Sequence, residues 1–179
     1  MARITTGTAK NKTLKSPDIL DFRAVQEVAK SAVFSVIGDQ IQESTCLDLF
    51  AGGGNMGIEA LSRGASFCDF VDSNRKSVEV IEQNLINCQL LEKAEIHQQE
   101  AAKFVANTEK TFDIIFLDPF YNDIKHKYLM EMLSEILNPQ GIVIFFHGKN
   151  LNMDDLLKNS NLAKIDSRKY GKCFVDFLK

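Results

Sequence analysis

The chain has 179 residues, of which 45% are hydrophobic and 25% charged, and this size and composition are typical of one well-buried globular domain. The longest apolar run in its C-terminal half, residues 142–146, is far shorter than the roughly 20 residues that a membrane-spanning helix needs. The N-terminal stretch is polar and basic and lacks the apolar core of a secretory signal peptide. Four scattered cysteines without a C-x-x-C pair favour free thiols in a reducing cytoplasm over disulfides or a zinc site.

The formal net charge of −3 argues against indiscriminate binding of nucleic acids, but basic residues are concentrated at both ends of the chain. Residues 164–179 hold five lysines and arginines against two aspartates, and residues 2–15 hold four basic residues and no acid. The four are Arg3, Lys10, Lys12 and Lys15. Two basic ends around an acidic middle predict a positive surface beside a cleft. Solvated termini explain the charges alone equally well.

The first elements are predicted from short local patterns. Residues 3–15 combine β-prone and turn-prone residues and predict a small hairpin or an ordered arm, which ends before Pro17. Apolar side chains then recur at helical spacing over residues 22–37, and Gly38 ends this predicted helix.

The rest of the chain alternates short apolar runs with helical patterns. Strands are predicted from Thr45 to the following glycines and over residues 67–72, 94–98, 112–117, 141–146, 164–170 and 173–178. Helices are predicted over residues 56–63, 77–90, 101–107, 127–137 and 154–158, the fourth being stopped by Asn138-Pro139. This alternation predicts an α/β fold with a doubly wound, mostly parallel sheet and an antiparallel C-terminal hairpin. We expect residues 1–40 to form an arm and a helix that pack on a single domain of residues 41–179.

Residues 45–57, T-C-L-D-L-F-A-G-G-G-N-M-G, predict a strand, a tight glycine turn and the start of a helix. The glycines match the dinucleotide fingerprint G-x-G-x-x-G, and Asp72 follows at about the distance of a ribose-binding acid, so an NAD-type oxidoreductase is one interpretation. Asp48, inside the strand, instead suits a cationic amine. S-adenosylmethionine carries an amine and a ribose without phosphate and fits both acids. Asp48 could also be a helix N-cap or turn acid, and Asp72 a simple strand-end acid.

D-P-F-Y at 118–121 follows a near-continuous apolar strand. Ligands of doubly wound sheets bind at the carboxyl ends of strands, so Asp118 and Asp48 should face one crevice if their strands are neighbours. The Asp118 carboxylate and the Pro119 carbonyl can accept hydrogen bonds from an exocyclic amine, while Tyr121 stacks on the base. The tetrapeptide could also be a turn, with its residues selected for geometry alone.

Together with G-I-E-A-L-S-R-G-A at 57–65 and R-I-T-T-G-T-A-K-N-K-T-L at 3–14, these motifs resemble those of the bacterial (RsmD-like) methyltransferases that modify guanine N2 in small-subunit ribosomal RNA. The similarity covers nearly the whole chain. It implies a seven-stranded, Rossmann-like methyltransferase fold that uses S-adenosylmethionine. It also implies ribosomal RNA or a small-subunit assembly particle as partner, no membrane and no metal. We expect a monomer.

The resemblance also assigns roles to individual residues. Those that would bind the cofactor are Asp48, Phe50, Ala51, Gly52, Gly53, Gly54, Asn55, Gly57, Asp72, Ser73, Glu100 and Ala101. Those that would hold the target base are Asp118, Pro119, Phe120 and Tyr121. Those that would bind the RNA substrate are Arg3, Lys10, Lys12, Arg23 and Lys30. No histidine is needed, because the methylated nitrogen is acidic and loses its proton easily.

The chain departs from the family pattern at several positions. Phe120 replaces the second proline of the family pattern (D/N)-P-P-(F/Y). Residues 23–34 resemble the family segment R-P-T-x-x-x-x-R-E-x-x-F, but its R-P-T is reduced to Arg23-Ala24-Val25 and its second arginine is Lys30. A glycine-to-lysine exchange occurs in the arm near Asn11-Lys12. Phe146-His147 ends a strand after which relatives carry an acid. A divergent active enzyme is the first interpretation. An altered substrate, or a non-catalytic RNA-binding factor on a methyltransferase scaffold, is the second.

Overall fold

A seven-stranded sheet in the order β5-β4-β3-β6-β7-β9-β8 forms the centre of the computed structural model, which describes residues 2–19, 25–119, 126–149 and 151–179. The strands are β3 Thr45–Leu49, β4 Phe67–Asp72, β5 Ala94–Gln98, β6 Phe112–Leu117, β7 Leu137–His147, β8 Lys164–Tyr170 and β9 Cys173–Leu178. The first five are parallel, and β9 pairs antiparallel with both β7 and β8. The predicted doubly wound sheet with an antiparallel hairpin is therefore confirmed.

Helices cover both faces of the sheet. They are α1 Glu27–Ile37, α2 Asn55–Arg63, α3 Arg75–Cys88, α4 Ala101–Asn107, α5 His126–Leu133 and α6 Met153–Leu157. Helices α1 to α3 pack with alternate strand residues such as Phe116 in one apolar cluster, and α4 to α6 pack with Leu117 and its neighbours in the other. The near-continuous apolar pattern of β6 reflects this burial on both faces. Within the described part of the chain, no helix is long and apolar enough to span a membrane.

The predicted arm is a two-stranded hairpin, β1 Ala2–Arg3 and β2 Thr13–Leu14, that lies on the outer side of α2. Its turn approaches α2 so closely that a Cβ on Gly7, whose φ is +88°, would lie 1.7 Å from the Ser62 carbonyl oxygen. Ser62 in turn donates its hydroxyl to the Thr6 carbonyl and accepts the Ala9 N–H. Because the sheet covers one side of α2 and the arm the other, residues 55–62 are all buried.

Two predicted helix boundaries differ from the structure by more than two residues. The first helix begins at Glu27, so residues 25–26 precede it, and residues 22–24 of the prediction lie outside the described residues. The helix predicted over 127–137 ends at Leu133, and Asn138-Pro139 belongs to β7. Leu137 pairs with Phe112 there, and the register shifts before Ile142 pairs with Ile114. Pro139 lies in this exposed bulge, where its missing N–H costs no ladder hydrogen bond.

Candidate active site at the switch point of the sheet

Strand β3 lies where the chain reverses its direction across the sheet. From β3 it continues to β4 and β5 on one side, and then returns to β6 and β7 on the other. Ligands of doubly wound sheets bind at such a switch point, outside the carboxyl ends of the strands. Here the end of β4 carries Asp72, the end of β3 leads into the glycine loop, and Asp118 follows β6. The Asp118 N–H donates to the Leu49 carbonyl at 3.4 Å, which places Asp118 directly beside the start of the loop.

Asp48 is a buried acid at the N-terminus of α2. Only 3% of the residue is exposed, and its Oδ2 accepts the Gly57 N–H at 2.8 Å. The interpretation of Asp48 as a helix-capping acid is thus correct for one carboxylate oxygen. Burial raises its pKa well above the ordinary value, against the opposing effect of the Gly57 hydrogen bond, and the charges of Asp118 and Asp72 raise it further. A nearby cation would stabilise the charged form of Asp48 and offset the free-energy cost of burying it.

The loop after β3 has a strained backbone. Phe50 has a φ of 58°, a left-handed conformation that costs a side-chain-bearing residue on the order of 1 kcal/mol or more. The loop is attached to β4 by a 3.1 Å hydrogen bond from the Ala51 N–H to the Val71 carbonyl. Gly53 is packed so that an added Cβ would lie 3.0 Å from the Lys15 carbonyl of the segment after the arm. The backbone is therefore fixed over the ends of β3 and β4 from both sides.

The third glycine of the fingerprint serves packing. A Cβ on Gly57 would lie 2.4 Å from the Phe70 ring and 2.7 Å from the Cys68 sulfur, so only glycine lets α2 approach β4 this closely. The neighbouring Asn55 donates its amide to the Val25 carbonyl at 3.2 Å. Both residues support the loop. Packing of α2 against β4 therefore explains the last glycine of the G-x-G-x-x-G match without a dinucleotide.

Asp72 closes the other side of the crevice. One carboxylate oxygen accepts the Gly52 N–H and the other accepts the Asn74 N–H, each at 2.8 Å. Burial raises its pKa against these hydrogen bonds, and the charge of Glu100 adds to the rise. Each carboxylate oxygen has a second lone pair, so the side chain can still accept a hydroxyl. Three more predicted cofactor residues lie along this edge: Ser73 and Glu100 are exposed, and Ala101 is buried at the start of α4.

Asp118 and Pro119 follow the end of β6 on the opposite side of the loop. Asp118 is half-buried and Pro119 is buried. Burial raises the pKa of Asp118 to about 7, so its carboxyl is poised between its neutral and charged forms near neutral pH. The other two residues predicted to hold the base, Phe120 and Tyr121, lie outside the described residues.

The predicted RNA-binding residues have different environments. Arg3, Lys10 and Lys12 are exposed on the arm, and the Arg3 guanidinium pairs with Glu27 at 3.0 Å. Arg23 lies outside the described residues. The assignment of Lys30 to substrate binding is wrong, because the residue is fully buried under the arm and cannot reach an RNA.

Lys30 instead forms the centre of a buried polar network. Its ammonium lies 2.6 Å from the Arg3 carbonyl, 2.9 Å from the Asn55 amide oxygen and 2.9 Å from the Glu59 carboxylate, so each of its three protons has an acceptor. Glu59 also accepts hydrogen bonds from Thr5, Thr6 and Arg63. The network joins the arm, α1 and the first residue of α2, which follows the glycine loop directly.

Sequence reasoning missed both Glu59 and a second polar cluster. Glu59 is hidden inside a short helix whose partner residues lie far away in the chain, so no local pattern identifies it. The second cluster, Asp69, Glu95 and His97, has the ligand types of a metal site. The Lys110 ammonium lies 2.8 Å from Asp69 and 2.7 Å from Glu95 and already balances their charge. We therefore assign this cluster to the structure of the sheet edge.

Comparison with known proteins agrees with this geometry. The family model described as "Conserved hypothetical protein 95" matches residues 2–179. The chain belongs to this family. It is 32% identical to "Putative rRNA methyltransferase YlbH" of Bacillus subtilis over 99% of this chain and 98% of that protein. It is 31% identical to "Ribosomal RNA small subunit methyltransferase D" of Haemophilus influenzae over 74% of this chain and 70% of that protein.

Among solved structures, "Putative methyltransferase yhhF from Escherichia coli" has a TM-score of 0.84 and 21% identity, and the alignment covers 98% of this chain and 96% of that one. The predicted family and the predicted methyltransferase fold are therefore confirmed. The relatives that match this chain include rRNA methyltransferases, and the site at the switch point lies where doubly wound folds bind their ligands.

Proposed function

We propose that the protein transfers a methyl group from S-adenosylmethionine to the exocyclic N2 amine of a guanine in small-subunit ribosomal RNA, in the cytoplasm. The observation that supports this most directly is the convergence of three acids, Asp48, Asp72 and Asp118, around one strained loop. Burial raises the pKa of all three. Among the described residues, no lysine or arginine forms an ion pair with any of them.

The residues fit this cofactor better than a dinucleotide. A pyrophosphate would bind the free N–H groups at the N-terminus of α2, but the Asp48 carboxylate already accepts the Gly57 N–H there. A second anion at this point would be repelled, whereas an amine or a sulfonium would be attracted. Asp48 and the loop from Phe50 to Gly54 would hold the methionine end, and Asp72 the ribose hydroxyls. Ser73, Glu100 and Ala101 would lie beside the adenine. When bound, the sulfonium supplies a methyl carbon that is already activated for displacement.

On the other side of the loop, Asp118 and the Pro119 carbonyl would accept hydrogen bonds from the guanine amine. These bonds favour localising the nitrogen lone pair and stabilise the positive charge that develops on the nitrogen. Because Asp118 donates its backbone N–H to Leu49, its position is fixed relative to the loop that would hold the methyl donor. The proton then leaves to solvent, so no strong general base is required. Tyr121 would stack on the base, with Phe120 in place of a second proline.

The exposed arm residues Arg3, Lys10 and Lys12 supply positive charge for the RNA backbone. Because the Lys30–Glu59 network anchors the arm on α2, RNA bound to the arm would be held at a fixed position relative to the glycine loop. This surface also suits a non-catalytic RNA-binding factor. An assay of methyl transfer separates such a factor from an enzyme.

The experiment measures ligand binding and methyl transfer together. Calorimetry with S-adenosylhomocysteine and with NAD should detect binding of the first ligand only. Transfer of a labelled methyl group to small-subunit ribosomal RNA should be lost by about a hundredfold or more in Asp118→Ala, with binding of S-adenosylhomocysteine retained. Asp39→Ala, which removes an exposed acid remote from the crevice, is the matched control and should behave as the wild type.

Binding of NAD alone would favour the oxidoreductase. Binding of RNA without methyl transfer by the wild-type protein would favour the non-catalytic factor. Loss of cofactor binding in Asp118→Ala would contradict the division of roles between the two sides of the loop. Mapping the methylated base by reverse-transcription arrest or mass spectrometry would test the assignment to guanine N2.

A further inference from the structure

A cavity of about 540 Å³ lies beside the carboxyl end of β7, outside the group formed by Asp48, Asp72 and Asp118. Its walls come from β7, β8, β9 and the segment that leads into α6. Its lining includes His147, Lys149, Lys164, Phe174 and Asp176. Nothing in the methyl-transfer chemistry proposed above uses any of them.

The floor of this cavity is built from a buried polar pair held between aromatic rings. Asp176 is 1% exposed and His147 7%, and their Oδ2 and Nε2 atoms lie 3.2 Å apart. The other ring nitrogen of His147 lies 2.9 Å from the Gly148 carbonyl, and Ser167 donates its hydroxyl to the second oxygen of Asp176. The His147 ring stacks between Phe145 and Phe174, with centroid distances of 5.1 and 5.6 Å. Such a floor is held rigid from several directions.

The walls and rim offer the groups that bind a nucleotide. Phe174 is half-buried at the wall, where the His147 ring stacks on it and the Lys169 ammonium lies 5.4 Å from its ring centroid. Lys149 and Lys164 are exposed at the rim. The acids of the cavity are Asp176 on the floor and Asp154 at the rim, and the two lysines at the rim face them. An aromatic surface together with two lysines is the combination that binds single-stranded nucleic acid, by stacking on the base and by charge on the phosphate.

The position of the cavity relates it to the methyl-transfer site. Leu117 of β6 pairs with Phe145 of β7, so His147, two residues further on, lies level with Pro119. Neighbouring strands are about 4.8 Å apart, which places the cavity one strand beyond the residues proposed to hold the target base. Along the sheet edge, the order is Asp72, the glycine loop, Asp118 and then this cavity. The cofactor side and the cavity therefore flank the acceptor position from opposite sides.

We propose that this cavity binds the RNA nucleotide adjacent to the target guanine, with the base against Phe174 and the phosphate between Lys149 and Lys164. The inference rests on the proposed function in one respect, which is that the adjacent nucleotide is the target guanine. It explains why a rigid aromatic and basic site lies one strand away from Asp118. It also gives the enzyme a means to hold the RNA strand in place beside its target.

The test compares two double substitutions that change the net charge equally. Lys149→Gln/Lys164→Gln should raise the KM for small-subunit ribosomal RNA by about tenfold, leave binding of S-adenosylhomocysteine unchanged and reduce the salt dependence of RNA binding by about one phosphate contact or more. Lys93→Gln/Lys103→Gln removes two exposed lysines near the opposite edge of the sheet and should change none of these quantities. Phe174→Leu should weaken RNA binding without changing its salt dependence. Equal effects of the two lysine pairs would overturn the proposal.

A probe without guanine separates this proposal from the proposed function. A uridine tetranucleotide cannot be methylated at guanine N2, yet it should shift the NMR signals of His147 and Phe174 in the wild-type protein and not in the Lys149→Gln/Lys164→Gln variant. Those shifts without any methyl transfer to RNA would support the cavity and reject the proposed function. Methyl transfer without those shifts would reject the cavity alone. A defect of the lysine variant on assembled particles but not on naked RNA would indicate a protein contact and also reject it.

Discussion

Two groups of buried charges contact helix α2, and they differ in how their charge is balanced. In the network around Lys30, each ammonium proton has an acceptor within 2.9 Å, and the Glu59 carboxylate accepts five hydrogen bonds and ion-pair contacts in return. Burial prevails at Lys30 and lowers its pKa although Glu59 opposes the shift. At Glu59 burial also opposes the charge, but the hydrogen bonds from Thr5 and Lys30 outweigh it and lower the pKa, so the carboxylate stays charged. In the group of Asp48, Asp72 and Asp118, burial prevails and each pKa is raised.

This difference separates a structural role from a functional one. The first group is electrically complete within the protein and fixes the arm and α1 against the helix that follows the glycine loop. In the second group, burial makes the charged form of three acids unfavourable. A protein retains such a free-energy cost at sites where a bound ligand compensates for it. A cation bound beside Asp48 would do so. Buried charge by itself is therefore poor evidence for a site, whereas buried charge without a counter-charge from the described residues is good evidence.

The largest expected effect comes from breaking the complete group. Glu59→Ala removes the acceptor of Lys30 and leaves a fully buried ammonium without its carboxylate, so we expect the free energy of unfolding to fall by about 3–5 kcal/mol. Urea denaturation followed by circular dichroism measures the change.

The matched control is Glu79→Ala, which removes an acid from an exposed helical ion pair with Arg75. Such a pair contributes about 0.5 kcal/mol or less. If Glu59→Ala were as mild as this control, the Lys30 network would not be what anchors the arm.

A stabilising substitution is expected in the incomplete group. The folded-state pKa of Asp48 is raised, so the folded protein holds its proton above the pH at which the unfolded chain releases it, and stability falls as pH rises through that range. Asp48→Asn keeps an oxygen that can accept the Gly57 N–H and removes the charge. It should raise the free energy of unfolding at pH 8 by at least about 1 kcal/mol, and less at pH 5. Denaturant titrations at both pH values measure this.

The same variant should bind S-adenosylmethionine more weakly, because it no longer presents a carboxylate to the amine. Unchanged stability with unchanged binding would mean that Asp48 is only a helix cap. Reduced stability at both pH values would show that the Gly57 contact outweighs the cost of the buried charge.

The group of three acids could be predicted from the sequence, whereas the network around Lys30 could not. Asp48, Asp72 and Asp118 follow apolar runs that end at one edge of a parallel sheet, so local pattern and topology suffice to bring them together. Lys30 and Glu59 meet because the arm folds over α2, and such a contact between distant segments has no local signature. Lys30 therefore resembled an exposed basic residue of an RNA-binding segment.

The bounds of strands and helices are likewise predictable where a local pattern determines them, and not where pairing with a distant segment does. The strands β4, β5, β6, β8 and β9 have the bounds expected from their apolar patterns. The helix expected to extend to Leu137 is shorter because that residue pairs with Phe112, and the Asn138 amide donates to Asp113 at 2.8 Å. A proline that usually stops a helix is here part of a bulge within a strand, since the pairing partner, and not the local sequence, determines its conformation.

The smallest effect is expected in the pH dependence of methyl transfer. Burial raises the pKa of Asp118 to about 7, and only the ionised carboxylate can accept hydrogen bonds at both oxygens. Activity should therefore rise between pH 6 and pH 8 when S-adenosylmethionine is below saturation. Because a bound sulfonium favours the charged carboxylate, saturating cofactor should move this rise to lower pH. Initial rates of labelled methyl transfer measured at both cofactor concentrations give the two profiles. In Asp118→Asn the residual activity should lose this rise, and a rise that persisted there would assign the titration to another group.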